Sequence, residues 1–116
     1  MKTITSRDNP FYKELKQLAT SSQARRKAGQ SLLDGVHLCQ AWLDLRGAPL
    51  HCVVSEDALA NPEVRAIVER CEAMRVHVTV FPDALFGAIS LVEHGINLGF
   101  VVTTPRPTQP PVLTES

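Results

Sequence analysis

Three consecutive cations, Arg25, Arg26 and Lys27, stand shortly before a glycine and an apolar segment. Guanidinium and ammonium groups neutralise phosphates, and each neutralised phosphate releases counterions. A charge run is also common on a solvated helix face, so two interpretations stay open: a phosphate contact, or a surface without a partner. Because three consecutive helical residues cannot all point the same way, a basic patch needs cations from elsewhere in the fold.

More cations precede this run and make the first quarter of the chain basic. Residues 1–27 contain seven Lys or Arg and two acids, whereas the rest of the 116-residue chain contains five cations and ten acids. The net charge of zero therefore hides a basic and an acidic segment, and the basic segment suggests an anionic partner. Arg7, Lys13 and Lys16 can join the run if the first two helices pack as a pair. Such a patch contacts phosphates without reading bases.

The other reactive residue types do not form a catalytic or metal-binding pattern. His37 and Cys39 are two residues apart on a predicted helix, so they do not face each other. Cys39, Cys52 and Cys71 show no paired spacing, and their apolar neighbours predict buried free thiols in a reducing compartment. The four histidines are too scattered for a zinc site.

Among the aromatic residues, Tyr12 has two interpretations and Trp42 has one. Tyr12 either stacks on an RNA base or is a partly buried helix residue. Trp42 belongs to an apolar stripe with helical spacing, which predicts that this stripe packs into the core: Leu38, Ala41, Trp42 and Leu45.

Helices and strands alternate along the chain. Asn9-Pro10 and Asn61-Pro62 each predict a capped helix start, and Gly29 predicts a helix end. The segments "QSLLDG", "LHCVV", "VHVTVF" and "INLGFVV" are strand candidates separated by helical patterns. One helix followed by β-α-β-α-β-α-β predicts an α/β fold, a small and mainly parallel sheet covered by helices on both faces.

The composition changes after residue 103. "TTPRPTQPPVLTES" contains four of the eight prolines and no core periodicity, which predicts a Pro-rich linker over residues 104–116 and a folded domain over residues 1–103. A chain that stops in a linker suggests a longer natural protein. The start has no secretory pattern and no segment reaches transmembrane length, which predicts a cytoplasmic protein with no membrane partner.

The order and spacing of these motifs resemble one family. "ITSRDNPFYKELKQLATSSQARRKAGQSLLDGVHLCQAWL" is similar to the N-terminal substrate-binding domain of the SpoU (TrmH-like) RNA 2′-O-ribose methyltransferases, which has a Ser-Arg-x-Asn-Pro helix start, an Arg-Arg-Lys run before a glycine, and Phe-Leu-Leu-Glu-Gly before a helix. "LFGAISLVEHGINLGFVVTTP" is similar to the segment that leads into that family's catalytic domain. The likeness covers residues 3–104. Departures from the pattern are Ser31, Asp34 and His37, where the family usually has an aromatic residue, Glu and Arg.

The resemblance implies a three-layer αβα sandwich like that of ribosomal proteins that bind kink-turn RNA. It implies structured RNA, ribosomal or transfer, as a partner, and a dimeric parent whose knotted (SPOUT) C-terminal domain binds S-adenosylmethionine and transfers the methyl group. That domain's motifs are not in this sequence, so the chain is expected to hold no catalytic residue, cofactor or metal of its own. The candidate RNA-binding residues are Arg7, Asn9, Lys13, Lys16, Arg25, Arg26 and Lys27. The alternative is an interaction or dimerisation module with no RNA contact.

Overall fold

The structure, a computed structural model, describes residues 1–89 and 97–103; the predicted linker, residues 104–116, lies outside them. Within these ranges helices and strands alternate as the sequence predicts, with a short additional first strand. In chain order the elements are β1 (Lys2–Thr3), α1 (Pro10–Thr20), α2 (Ser22–Ala28), β2 (Gln30–Asp34), α3 (Val36–Leu45), β3 (His51–Ser55), a 3₁₀ turn (Ala58–Ala60), α4 (Pro62–Ala73), β4 (His77–Phe81), α5 (Asp83–Gly87) and β5 (Leu98–Thr103).

The five described strands form one mixed sheet in the order β1-β4-β3-β5-β2. β4 pairs in parallel with β1 and β3, whereas β5 is antiparallel to both β3 and β2. The expectation of a mainly parallel sheet is therefore wrong for half of the pairings. Helical crossovers do make β2, β3 and β4 run in one direction, as predicted. The alternation of helices and strands does not predict the position or direction of the last strand. β5 lies between β2 and β3 and runs in the opposite direction to both.

Helices cover both faces of this sheet, which confirms the α/β class and the three-layer arrangement. On one face, alternate strand residues such as Cys52 and Val54 pack with buried residues of α3 and α4. On the other face, Val53 and Phe81 pack with buried residues of α1 and α5. The strand side chains alternate between the two layers because successive residues of a strand point to opposite faces.

The two predicted capped helix starts are confirmed. The Asn9 side chain accepts hydrogen bonds from the backbone N–H of Phe11 (2.9 Å) and Tyr12 (3.3 Å). Asn61 does the same at α4, where it accepts from the N–H of Glu63 at 2.8 Å. Each cap satisfies donors that the helix leaves unpaired, and a cap of this kind contributes about 1 kcal/mol.

The predicted core stripe of α3 is wrong. The buried residues are Val36, Cys39 and Leu43, while Leu38 and Leu45 are 53% and 81% exposed. Ala41 is exposed as well, and Trp42 is half-buried against the α3–α4 layer rather than inside it. The helix is apolar on most sides, so two stripes have helical spacing. The turn at Gly35 (φ 113°) sets which of them meets the sheet, and periodicity cannot reveal that rotation.

The cysteines are buried and free, as predicted. Burial raises the pKa of the Cys39 thiol, with further contributions from Cys71 and Asp34. His37 is exposed while Cys39 is fully buried, so the two side chains lie on different sides of α3. In the part of the chain that the structure describes, no group of three His, Cys, Asp or Glu side chains is placed to hold a metal ion. No described helix is long and apolar enough to cross a membrane.

Candidate nucleic-acid interface

The exposed side of α1 presents two lysines, one helical turn apart. Leu15 and Leu18 are buried against the sheet, whereas Lys13 and Lys16 are exposed. Residues three apart on a helix are neighbours on its surface, so the two ammonium groups share one side of α1. This amphipathic division follows directly from the sequence spacing.

A turn before α1 brings a third cation to these lysines. The N–H of Asp8 donates to Ser6 Oγ at 3.1 Å, and the N–H of Asn9 donates to the Ser6 carbonyl at 3.3 Å. Arg7 lies exposed in this turn. Together with Tyr12 and Ala88, the following three residues line a hollow of about 290 Å³: Arg7, Lys13 and Lys16. We call these three residues the cationic cluster.

The first member of the Arg-Arg-Lys run is partly occupied by the fold. Ser21 ends α1 and begins α2, since its N–H donates to the Gln17 carbonyl and its Oγ accepts from the N–H of Ala24. Arg25 then reaches back, and its Nη1 donates to the Leu18 carbonyl at 2.6 Å from a part-buried position. Arg25 therefore ties α2 to the end of α1.

The other two cations of the run are exposed, but they do not line the hollow of the cationic cluster. Arg26 and Lys27 occupy the last turn of α2, where cations favour the negative end of the helix. Lys27 lines a separate hollow of about 450 Å³ together with Glu14 and Gln30. The seven candidate residues thus form at least two groups rather than one patch.

Two further candidates have structural roles. The side-chain oxygen of Asn9 is used in the cap of α1, so it is engaged before any ligand binds. Tyr12 is only 3% exposed, and its hydroxyl donates to the Leu85 carbonyl at 2.7 Å. Of the two interpretations of Tyr12, burial is therefore correct and base stacking is wrong.

The cationic cluster carries charge that the ion pairs between described residues do not involve. Among residues 1–89 and 97–103, the ion pairs join the amino group of Met1 to Glu72 (3.8 Å) and Arg70 to Asp44 (3.1 Å). No described carboxylate forms an ion pair with Arg7, Lys13 or Lys16. Exposed cations without a described ion-pair partner attract a polyanion over about one Debye length.

Sequence reasoning missed a third hollow, of about 510 Å³, beside β1 and β4. Its walls include Phe11, His51 and His77. The ring centroids of Phe11 and His51 are 4.8 Å apart, and those of His51 and His77 are 6.0 Å apart. Burial lowers the pKa of His51, and the neighbouring His77 lowers it further, against the opposing charge of Glu14. Each histidine is the second residue of a predicted strand, so parallel pairing of the two strands in register would have brought the histidines together.

The same fold occurs in solved structures of RNA methyltransferases. An rRNA methyltransferase from Sinorhizobium meliloti has a TM-score of 0.71 and 19% sequence identity over 92% of this chain and 38% of its own. The AdoMet-bound form of an rRNA methyltransferase from the same organism gives a TM-score of 0.72 and 18% identity, over 91% and 38% of the two chains.

A third structure, of an RNA 2′-O ribose methyltransferase, gives a TM-score of 0.73 and 25% identity over 91% of this chain and 39% of its own. This chain therefore spans about two fifths of the length of the three proteins. No known family model and no curated protein sequence matches it. The class that follows is an α/β domain with a fold that forms part of RNA methyltransferases.

Proposed function

We propose that this chain is the RNA-recognition domain of an S-adenosylmethionine-dependent RNA 2′-O-ribose methyltransferase of the SpoU (TrmH-like) family. Its catalytic domain would lie beyond residues 104–116, which we propose to be a linker. The substrate would be structured RNA, ribosomal or transfer, in the cytoplasm. A fold shared with RNA methyltransferases supports the class. The observation that carries RNA contact is the cationic cluster, since Arg7, Lys13 and Lys16 converge on one hollow without described ion-pair partners.

Methyl transfer is not assigned to this chain. S-adenosylmethionine carries a sulfonium cation, and the hollow of the cationic cluster would repel it. The residues present there do not fit the cofactor, although they fit a phosphate. The domain's task would be to hold RNA by its backbone while a separate domain supplies the chemistry.

The test is binding of this chain to structured tRNA and rRNA fragments. One variant, R7Q/K13Q/K16Q, removes the cationic cluster but keeps side chains of similar helix propensity. A matched control, R46Q/R65Q/R75Q, removes three cations elsewhere in the fold. We expect the first variant to lose affinity and the control to keep it. Equal affinity of both variants and the wild type would contradict the proposal.

The alternative is an interaction module without RNA contact, and one observation favours it. The outer side of α3 exposes Leu38, Ala41 and Leu45, spaced as one helical face. Exposed apolar residues that form a contiguous face often mark an interaction site. If this alternative is correct, the chain self-associates in sedimentation experiments, Leu45→Lys abolishes the association, and no RNA binds at low salt.

A further inference from the structure

His51 and His77 are direct neighbours on the sheet face that α1 and α5 cover only in part. Parallel pairing of β3 and β4 places His51 opposite His77, with the rings 6.0 Å apart and inclined by 33°. Both side chains lie on the same face as Phe81, since residues of one strand alternate between faces.

The helices cover one end of this face and leave the other open. At the far end of β4, Phe81 is fully buried, and the Tyr12 ring packs 5.4 Å from it. At the near end, His77 is exposed and His51 is half-buried. The result is a strip of sheet with imidazole rings on its floor and Phe11 as a wall, 4.8 Å from His51. We call Phe11, His51 and His77 the aromatic strip.

A cation stands beside the aromatic strip. Lys2 is in register with Thr79 across β1 and β4, and both line the same hollow of about 510 Å³. Lys2 is exposed. This volume lies within the range of about 300–1,000 Å³ that is typical of sites for small ligands. A ring floor with one cation at its edge matches a nucleotide, which has a flat base and a charged phosphate.

We propose that the aromatic strip is a stacking site for an unpaired nucleobase of the bound RNA, with Lys2 meeting the adjacent phosphate. This inference rests on the proposed RNA-binding function and adds a second kind of contact to it. Proteins recognise single-stranded RNA by stacking its splayed bases on Phe, Tyr, Trp or His rings, often on an open sheet. The lowered pKa of His51 keeps this ring neutral at pH 7, so a base can cover it without desolvating a charge.

The experiment compares the wild type with three variants in binding a single-stranded hexaribonucleotide of adenosines. His77→Ala and Phe11→Leu alter the aromatic strip, and His37→Ala removes an exposed histidine of α3 as the matched control. We expect His77→Ala and Phe11→Leu to weaken binding about 5- to 30-fold, which is the lower part of the range for base–aromatic stacking. The salt dependence should stay unchanged in Phe11→Leu because this variant removes no ionisable group. His37→Ala should bind as the wild type does.

A second readout separates this inference from the proposed function. Adenosine 5′-monophosphate is titrated into the protein at pH 7 while the imidazole NMR signals are recorded. If the hexanucleotide binds the wild type and the two strip variants equally, the stacking site is wrong although RNA recognition stands. If no RNA binds, the proposed function fails, and the titration decides only whether the aromatic strip binds a nucleotide. Shifts of His51 and His77 without a shift of His37 support nucleotide binding by the strip, and unshifted signals overturn the inference.

Discussion

Arg25 and Arg26 are neighbours in the same run, yet the structure predicts opposite consequences for their replacement. Of the two side chains, only that of Arg25 forms a hydrogen bond with a residue that the structure describes, from Nη1 to the Leu18 carbonyl at 2.6 Å. We therefore expect Arg25→Gln to destabilise the fold and Arg26→Gln to leave its stability unchanged. Both substitutions remove one positive charge from the last turn of α2 and keep a residue of similar helix propensity. The difference between the two variants isolates the bond.

The size of the effect follows from the chemistry of that bond. Hydrogen bonds to charged groups contribute about 1.5–3 kcal/mol to stability, and a part-buried site reduces this to about 1 kcal/mol. For a domain of this size, a loss of 1 kcal/mol lowers the midpoint of thermal unfolding by about 4–8 °C. We expect Arg25→Gln to unfold at a temperature lower by that amount than Arg26→Gln.

Circular dichroism during heating measures the unfolding midpoints of both variants. RNA binding is then measured at a temperature well below these midpoints, where both variants are folded. Arg26 is exposed and free to meet a phosphate. Replacing Arg26 should therefore weaken RNA binding more than replacing Arg25 does. If the two variants unfold at the same temperature, the guanidinium–carbonyl bond contributes nothing in solution and the structural role of Arg25 is refuted.

Three other predictions concern stability and are tested by urea denaturation. Tyr12→Phe should cost about 1 kcal/mol because the buried carbonyl of Leu85 loses the hydroxyl donor while it keeps the N–H of Ala88, and an unchanged midpoint would count against the hydroxyl bond. Asn9→Ala and Asn61→Ala should each cost about 1 kcal/mol through loss of a cap, and a silent Asn9→Ala would instead leave that residue free for RNA. Because the pKa of His51 is lowered in the fold, the unfolded chain takes up the proton first. The free energy of unfolding should stay constant above pH 6.5 and fall below it, and His51→Gln should flatten this pH dependence. The same pH dependence in the variant would mean that another group causes it.

Short sequence patterns predicted those features of the fold that depend on interactions between residues close together in the chain. Asn9-Pro10 and Asn61-Pro62 begin helices because a side-chain cap and a proline both act within one turn. The alternating residues of β3 and β4 are buried on both faces, as crossover strands of an α/β fold require.

Other features depend on contacts between distant segments, and the sequence could not supply them. The rotation of α3 depends on how Gly35 leaves the sheet, and the sequence spacing wrongly placed Leu45 rather than Leu43 in the core. The direction and position of β5 depend on the whole sheet.

In the candidate site, too, the features that depend on residue spacing were predictable, and those that depend on distant contacts were not. The spacing of Lys13 and Lys16 keeps both lysines off the buried side of α1, and in the structure both are exposed and line the hollow of the cationic cluster. The role of Arg25 depends on the turn at Ser21, and the pairing of His51 with His77 depends on strand register. A charge count treats every cation of residues 1–27 alike. The structure distinguishes Arg25, which connects α2 to α1 through a hydrogen bond, from the exposed cations.

The central claim is that the cationic cluster grips RNA phosphates, and the most direct test is the slope of log K against log salt for a structured RNA. The wild type should show a steep slope. R7Q/K13Q/K16Q should be shallower by about 2–3 units, since each lost phosphate contact removes about 0.9 for a duplex. R46Q/R65Q/R75Q should keep the wild-type slope. Equal slopes for all three proteins would show that the cluster is a solvated surface and would contradict the account.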